Sequence, residues 1–362
     1  MLNTDLIKKF RNKVNGNHYF ILHKYRNFEQ KNKWNCICSA MDWITVSVEY
    51  FSDHYYTSQS KNLSSIDVFT YIMCIDIVWE SITQLYRVLY NTRERPFQND
   101  TDIFLNKIYE QSDNAYFKTI RACFGAHAVN LDHENNDPTS HRYASWSSER
   151  HGTSEGDFTV ILYSNETIKN DLYLNIKFEE LNQFLITRYN LLDEIMTEID
   201  KQYYNYSNET ITKKIPKDND SIKQLKILAE ISKQRLNAEY YNYEIKRLRI
   251  IFESEISNKE NFNIVEKFRK NMAPAITEIY DGLQNMTYKS ITVTDCLDDI
   301  IPFKHHYVFS KISDHIFGDS TAGILIGLKD IISDVADSVN ILGTENYPEL
   351  YLLILTGFYF KN

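Results

Sequence analysis

Arg121 and His127 are the two residues of this 362-residue sequence whose types and spacing best suit chemistry. They lie in the segment Tyr116-Phe117-Lys118-Thr119-Ile120-Arg121-Ala122-Cys123-Phe124-Gly125-Ala126-His127. Histidine gains and loses a proton near neutral pH, so it can act as general acid or general base. The guanidinium fork of arginine is well shaped to stabilise negative charge that builds on phosphoryl or carboxylate oxygens. Phe117, Ile120 and Phe124 stand at helical spacing, which predicts a helix with this stripe inward. Arg121 and His127 then bracket its C-terminal turns. At 100° per residue the two side chains of a straight helix point about 120° apart, ~9 Å along the axis. To meet on one group, either the helix deforms near Gly125 or two copies combine across a symmetric interface. Cys123, in the same helix, reads as a small buried hydrophobe.

Other catalytic signatures are missing. The sequence holds no Gly-x-x-x-x-Gly-Lys-Ser/Thr phosphate loop, no Gly-x-Gly-x-x-Gly, no His-Glu-x-x-His and no Gly-x-Ser-x-Gly. Cys36 and Cys38 are the sole close cysteine pair and lack the second pair of a zinc site. His133, His141 and His151, with Asp132, Glu134 and Asp137, are too irregularly spaced for a metal centre, and the same holds for His305, His306, Asp314 and His315. No metal and no other cofactor is expected.

An arginine followed after five residues by a histidine, late in a bundle helix, resembles the Arg-x4–6-His motif of the HEPN superfamily. The likeness covers roughly residues 36–130. Members are helical bundles, many of them metal-independent endoribonucleases of toxin–antitoxin, abortive-infection and CRISPR systems. The resemblance implies that His127 is the acid/base and Arg121 the phosphate clamp. The 2′-hydroxyl of RNA would attack the adjacent phosphorus, giving a 2′,3′-cyclic phosphate and a 5′-hydroxyl. It also implies a homodimer paired through the Arg121–His127 helix, because the family's site is typically built from both protomers. Members often carry a polar residue, commonly Asn, directly after the arginine; here it is Ala122. They often hold the arginine with an acidic residue on an earlier helix. Of Asp76 and Glu80, four apart and so on one helix face, Glu80 is the candidate holder, with a solvent-facing pair as the plain alternative. Asn130 and His133 are candidate RNA contacts, although the start of a polar loop explains them equally.

Scarcity of turn-formers sets the fold that must position these groups. Only 10 Gly and 6 Pro occur, so folds with a turn every dozen residues are excluded and a mostly α protein is expected. Five cysteines are too few, and odd in number, for a disulfide scaffold. Hydrophobic residues at 43% suffice for a core, and the length suits two or three domains. The net charge of −9 argues against a general nucleic-acid coat. Residues 1–35 nevertheless carry eight Lys and Arg against Asp5 and Glu29. Lys8, Lys9, Arg11 and Lys13 of this segment are candidate contacts to an RNA backbone, with a solvated helix face as the plain alternative. The longest apolar run, Tyr351 to Phe360, is half of the ~20 residues of a membrane span. The N-terminus lacks the apolar stretch of a signal peptide, and a cytoplasmic protein is expected.

Helices are predicted over 5–28, with a break at Asn15-Gly16-Asn17, over 36–57, over 64–90 with Ser64-Ser65 as cap, over 102–110 and over 113–128. They compose an N-terminal antiparallel, HEPN-like bundle spanning 1–131. A polar loop and small β-hairpin insertion follow over 132–176. In it Phe158, Val160 and Leu162 alternate with polar or outward residues, Leu172, Leu174 and Ile176 repeat the pattern, and Arg142 to Trp146 form a possible third strand. Residues 177–362 read as a second helical region with long helices. One carries Phe178 to Ile199, the next Leu225 to Ile251, with a linker over 207–220, helices near 259–285 and 320–340, and an apolar C-terminal helix. A sensor, regulatory or oligomerisation role suits this region. The function expected is that of a bacterial defence or toxin–antitoxin ribonuclease with RNA as substrate and an antitoxin or regulatory protein as possible partner. The alternative from another class is a non-catalytic helical scaffold or adaptor that binds a protein partner.

Overall fold

Hydrophobic spacing and capping produce a mostly helical chain with one small antiparallel sheet. The computed structural model describes residues 2–60, 62–126, 131, 141–145, 156–235, 240–318 and 327–361. These fall into two compact units that divide at Tyr203/Tyr204.

The first unit opens with α1 (Thr4–Tyr25), α2 (Trp34–Asp53) and α3 (Ser65–Leu89). The expected break in the first helix is a local departure, with left-handed backbone at Asn17 (φ 50°) and Tyr19 (φ 58°), inside a helix that continues. Ser64 caps α3 as expected. Its Oγ accepts from the Asp67 amide at 3.2 Å while the Asp67 carboxylate accepts from the Ser64 amide at 2.8 Å, a reciprocal capping box. Val68, Tyr71, Ile72, Ile75, Val78, Trp79, Ile82 and Leu85 are all buried, so α3 is apolar nearly all round and forms the centre of the bundle. Helix α2 lies along it, with Phe51 edge-on to Tyr71 at 5.2 Å.

No helix forms over 102–110, because side chains take the backbone groups a helix would use. Lys107 Nζ donates to the carbonyls of Thr101 (3.1 Å) and Gln111 (3.0 Å), and the Asp113 carboxylate accepts from the Ile103 and Phe104 amides. The fourth bundle element comes instead from beyond the sheet. It is α5 (Phe178–Tyr189), whose Phe184 reaches Trp79 of α3 at 6.2 Å and stacks on Phe117 at 4.4 Å. This packing moves the boundary expected near 177 to 203. A further helix, α6 (Leu191–Thr212), starts directly after Asn190, so the long Phe178–Ile199 stripe belongs to two helices.

Between the Lys107 loop and α5 lie α4 (Asp113–Arg121) and three strands, β1 (Arg142–Ser145), β2 (Phe158–Ser164) and β3 (Leu172–Ile176). The strands pair antiparallel in the order β1-β2-β3, with Tyr143 opposite Tyr163 and Val160 opposite Leu174. Phe158, Val160, Leu162, Leu174 and Ile176 form the buried face, as the alternation requires.

In the second unit the expected long helix over 225–251 is two, α7 (Ser221–Gln234) and α8 (Asn242–Glu253). Arg235 leaves the helix with extended backbone and donates to the carbonyls of Lys213 (2.6 Å), Leu283 (2.5 Å) and Gln284 (3.4 Å). It thereby satisfies the last carbonyls of α9 (Phe262–Asn285). The remaining helices are α10 (Thr292–Asp299), α11 (His306–Phe317), α12 (Leu328–Val335) and α13 (Tyr347–Lys361). The apolar run Tyr351 to Phe358 is buried within α13, which α8, α9, α11 and α12 surround. Among the described residues no helix is long and apolar enough to cross a membrane. A Cβ on Gly357 would stand 2.5 Å from Val335 Cβ, so only glycine lets α13 lie against α12 here. Gly357→Val is expected to cost about 1–3 kcal/mol through overpacking, read as a lower midpoint in urea; an unchanged midpoint would show that the two helices can separate freely.

Candidate active site around Arg121

Helix α4 is placed by its inward stripe. Phe117, Ile120 and Phe124 are all buried, and Ser112 caps the helix through the Ala115 amide at 3.4 Å. Arg121 is its last α-helical residue. Ala122–Ala126 then form a π-helical turn, a rare geometry that concentrates at functional positions. Over Ala122–Ala126 the backbone thus departs from the straight helix directly after Arg121. Phe124 of this turn meets Phe158 of β2 at 5.6 Å, which ties the motif segment to the sheet.

The arginine is anchored from α3. Arg121 Nη1 donates to Asp76 Oδ2 at 2.9 Å, and its Nε is buried with no partner among the described residues. Asp76 is 8% exposed and belongs to the buried side of α3. Burial pushes its carboxyl above the ordinary range, while the hydrogen bond and charge of Arg121 act in the opposite direction. One turn on, Glu80 is engaged elsewhere: Arg95 holds it in a two-pronged ion pair at 2.8 and 3.2 Å. The expected holder of Arg121 is therefore corrected from Glu80 to Asp76. The two acids share a helix face, but Asp76 faces α4 and Glu80 faces the loop that carries Arg95. The result is two neighbouring ion pairs, Arg121–Asp76 and Arg95–Glu80, whose acids both sit on the bundle's central helix.

Arg95 was not foreseen from sequence; its only signal is its place in the Pro96 loop directly after the helix bearing both acids. Asp76 had a clearer one, a lone carboxylate among Ile72, Ile75 and Trp79. His127, Asn130 and His133 lie outside the described residues. Cys123 is fully buried, and burial pushes its thiol up to about 12, which disfavours the thiolate a nucleophile needs. The N-terminal cations are mostly paired: Lys8 with Asp5 at 3.2 Å, Arg11 with Asp42 at 3.0 Å and Lys13 with Asp200 at 2.8 Å, while Lys9 is exposed. Three of these four cations thus have an acidic partner.

His305 and His306 of the second unit are used structurally. His305 is buried with Nε2 2.7 Å from Asp334 Oδ2, Lys304 pairs with the same oxygen, and His306 Nε2 lies 2.8 Å from the Ile301 carbonyl. His305 and then Lys304 hold the Asp334 carboxyl well below its ordinary value of 3.8, at about 2. A depressed folded-state pKa gives stability that is present above pH 3.8 and is lost as pH falls through 2. Asp334→Asn is expected to remove that part of the acid sensitivity of unfolding; a variant titrating like the parent between pH 4 and 2 would refute the assignment.

Comparison with protein-family models, with curated proteins and with solved structures gives no match.

Proposed function

We propose that the first unit carries the site of a metal-independent endoribonuclease of the HEPN kind, acting in the cytoplasm in a bacterial defence or toxin–antitoxin setting. The observation that carries this reading is Arg121 itself, held by a buried carboxylate at the entrance to a π-helical turn that leads to His127. A fixed guanidinium can stabilise charge on a phosphoryl group as the 2′-oxygen attacks phosphorus and the bond to the 5′-oxygen breaks. The 2′-hydroxyl proton passes to a base and the 5′-oxygen receives one from an acid. His127 fills one of these roles, and its counterpart from a second copy of the chain fills the other. RNA is the substrate, the composite site makes the active form a homodimer, and an antitoxin or regulatory protein is a fitting partner for the second unit.

The test is incubation with RNA in excess EDTA, followed by mapping of fragment ends. Fragments ending in 2′,3′-cyclic phosphate and 5′-hydroxyl, lost in both Arg121→Ala and His127→Ala, are the expected result. Cleavage indifferent to both substitutions, or blocked by EDTA, would overturn the reading. An inert protein that copurifies with a defined protein partner would favour the scaffold function instead.

A further inference from the structure

The three strands turn one face outward, and tyrosines dominate that face. Tyr143 of β1, Tyr163 of β2 and Tyr173 of β3 are 40%, 43% and 57% exposed. The other outward positions hold Ser145, Thr159, Ile161 and Asn175, so the face carries no side chain of either charge. The register sets Tyr143 directly opposite Tyr163, and Tyr173 opposite Ile161, hence diagonal to Tyr163. Opposed side chains start about 5 Å apart and diagonal ones ~7–8 Å apart. Among the described residues no ring contact and no side-chain hydrogen bond engages any of the three tyrosines.

The chemistry of the face and its place in the fold select the occupant. A strong protein contact needs a core of apolar side chains, and Ile161 is the sole aliphatic one on this face. Unpaired bases need open aromatic rings at neighbouring positions, with hydroxyl and amide groups beside them for the base edges. The face is also tied to the Arg121 segment at two points. Phe124 packs on Phe158 on the buried side of the sheet. Beyond the motif, Leu131 rejoins the sheet, its amide donating to the Arg142 carbonyl at 3.0 Å. Four positions of chain join residue 127 to that bridge, a tether of at most ~14 Å, and Tyr143 is the next residue of the strand. The acids at the rim are each engaged, which tempers their repulsion of a phosphate. Asp157 accepts from the Phe178 amide at 3.0 Å, Asp171 from the Ser164 amide at 3.2 Å, and Glu166 pairs with Lys169 at 2.8 Å.

We propose that the outer face of the sheet, centred on Tyr143, Tyr163 and Tyr173, is a stacking platform for the unpaired bases of single-stranded RNA. The proposal rests on the ribonuclease reading and deepens it, narrowing the substrate from RNA to its single-stranded segments. Bases in a duplex keep their faces inside the stack and cannot use such a platform. The rings hold the strand by its bases and touch no reacting atom, so their contribution falls on binding and not on the chemical step.

Fluorescence anisotropy of the full chain with a labelled, fully 2′-O-methylated RNA dodecamer tests this, because that probe lacks the attacking hydroxyl. The single strand should bind at least ~10-fold tighter than the same dodecamer annealed to its complement, whose base faces are closed. Tyr163→Thr and Tyr173→Thr keep a strand-favouring residue and remove the ring. Each should weaken single-strand binding by roughly 5–150-fold, the range that follows loss of one stacked base. Tyr163→Phe and Tyr173→Phe keep the ring face and should stay within ~3-fold of the parent. The salt dependence of binding should not change in any of the four, since the rings meet no phosphate. Cleavage of unmodified RNA in EDTA, followed with the same proteins, should show a raised KM in the threonine variants and an unaltered kcat. Equal affinity for single strand and duplex overturns the proposal without any variant. Folded threonine variants that bind like the parent also overturn it and leave the face to a protein contact. Cleavage that depends on Arg121 and His127 but is indifferent to the tyrosines removes the platform alone. Tyrosine-dependent binding by a chain that never cleaves RNA keeps the platform and removes the ribonuclease reading.

Discussion

Replacing Arg121 with alanine is expected to slow RNA cleavage by about 10²–10³-fold, the range that follows removal of one preorganised donor to a developing oxyanion. The loss should appear in kcat more than in KM, because the guanidinium is most needed when charge has built on the phosphoryl group. Arg121→Lys keeps the charge and loses the fork, so it should recover only part of the rate. Asp76→Ala touches no substrate in this account; it frees the arginine from its anchor, and misplacement by an ångström is worth up to ~10²-fold. The pair also predicts a pH response. Burial raises the Asp76 pKa, so Asp76 takes up a proton at a higher pH than a solvent carboxylate and then no longer pairs ionically with Arg121. The acid limb of the activity profile should therefore sit above that of an exposed carboxylate and vanish in Asp76→Asn. Stability is the necessary control. Arg121→Ala leaves the 8% exposed Asp76 without its partner, at a cost of about 1–3 kcal/mol, so rates must be compared well below the melting transition. Folded Arg121→Ala protein with unaltered cleavage would remove Arg121 from the mechanism.

Asp113→Ala is expected to produce the largest loss of stability. The carboxylate is fully buried at the start of α4, where it accepts from the Ile103 amide at 3.1 Å and the Phe104 amide at 3.3 Å and pairs with Lys107 at 2.9 Å. Its own amide donates to the Asp100 carbonyl at 2.7 Å. Removing the carboxylate strands two amides and takes the counter-charge from Lys107, whose side chain is only 11% exposed and whose ammonium keeps the Thr101 and Gln111 carbonyls. Breaking a buried pair from one side typically costs about 3–5 kcal/mol, because the remaining charge stays desolvated. In a unit of about 200 residues this corresponds to a fall of roughly 6–20 °C in Tm. The loop would loosen with it, and Phe104, set between Tyr116 at 5.3 Å and Phe184 at 5.6 Å, would lose its seat against the bundle. Thermal unfolding followed by tryptophan fluorescence, with Trp79 in this core, measures the change. A shift below 2 °C would mean that the loop network contributes little to the folded state.

That loop also marks where sequence reasoning stopped. The 102–110 stretch has residues compatible with a helix, but its amides and carbonyls are claimed by Asp113 and Lys107. Such tertiary capture is invisible to periodicity. The stripes over 178–199 and 225–251 were legible as apolar faces, yet the breaks at Asn190 and Arg235 carry no Pro or Gly. At Arg235 the break is set by a side chain reaching carbonyls some 50 positions away. The Ser64 cap, the alternation in β2 and β3 and the Phe117–Ile120–Phe124 stripe were legible because each is a contest among neighbouring residues. Of the candidate site, Arg121 and the acidic face of α3 were legible, and the choice between Asp76 and Glu80 was not.

The sequence alone thus determined the mostly helical class, through its scarcity of Gly and Pro, and most of the faces that seek burial, because both follow from local backbone preferences and apolar spacing. Tertiary structure decided which groups meet. It made α5 the bundle's fourth helix, bent the end of the motif helix into a π turn, and set Asp76 against Arg121 and Glu80 against Arg95. Those pairings depend on how packed helices place side chains 15 and 45 positions apart within hydrogen-bond reach, and on how deeply each is desolvated there. Neither quantity is a property of any short stretch of chain.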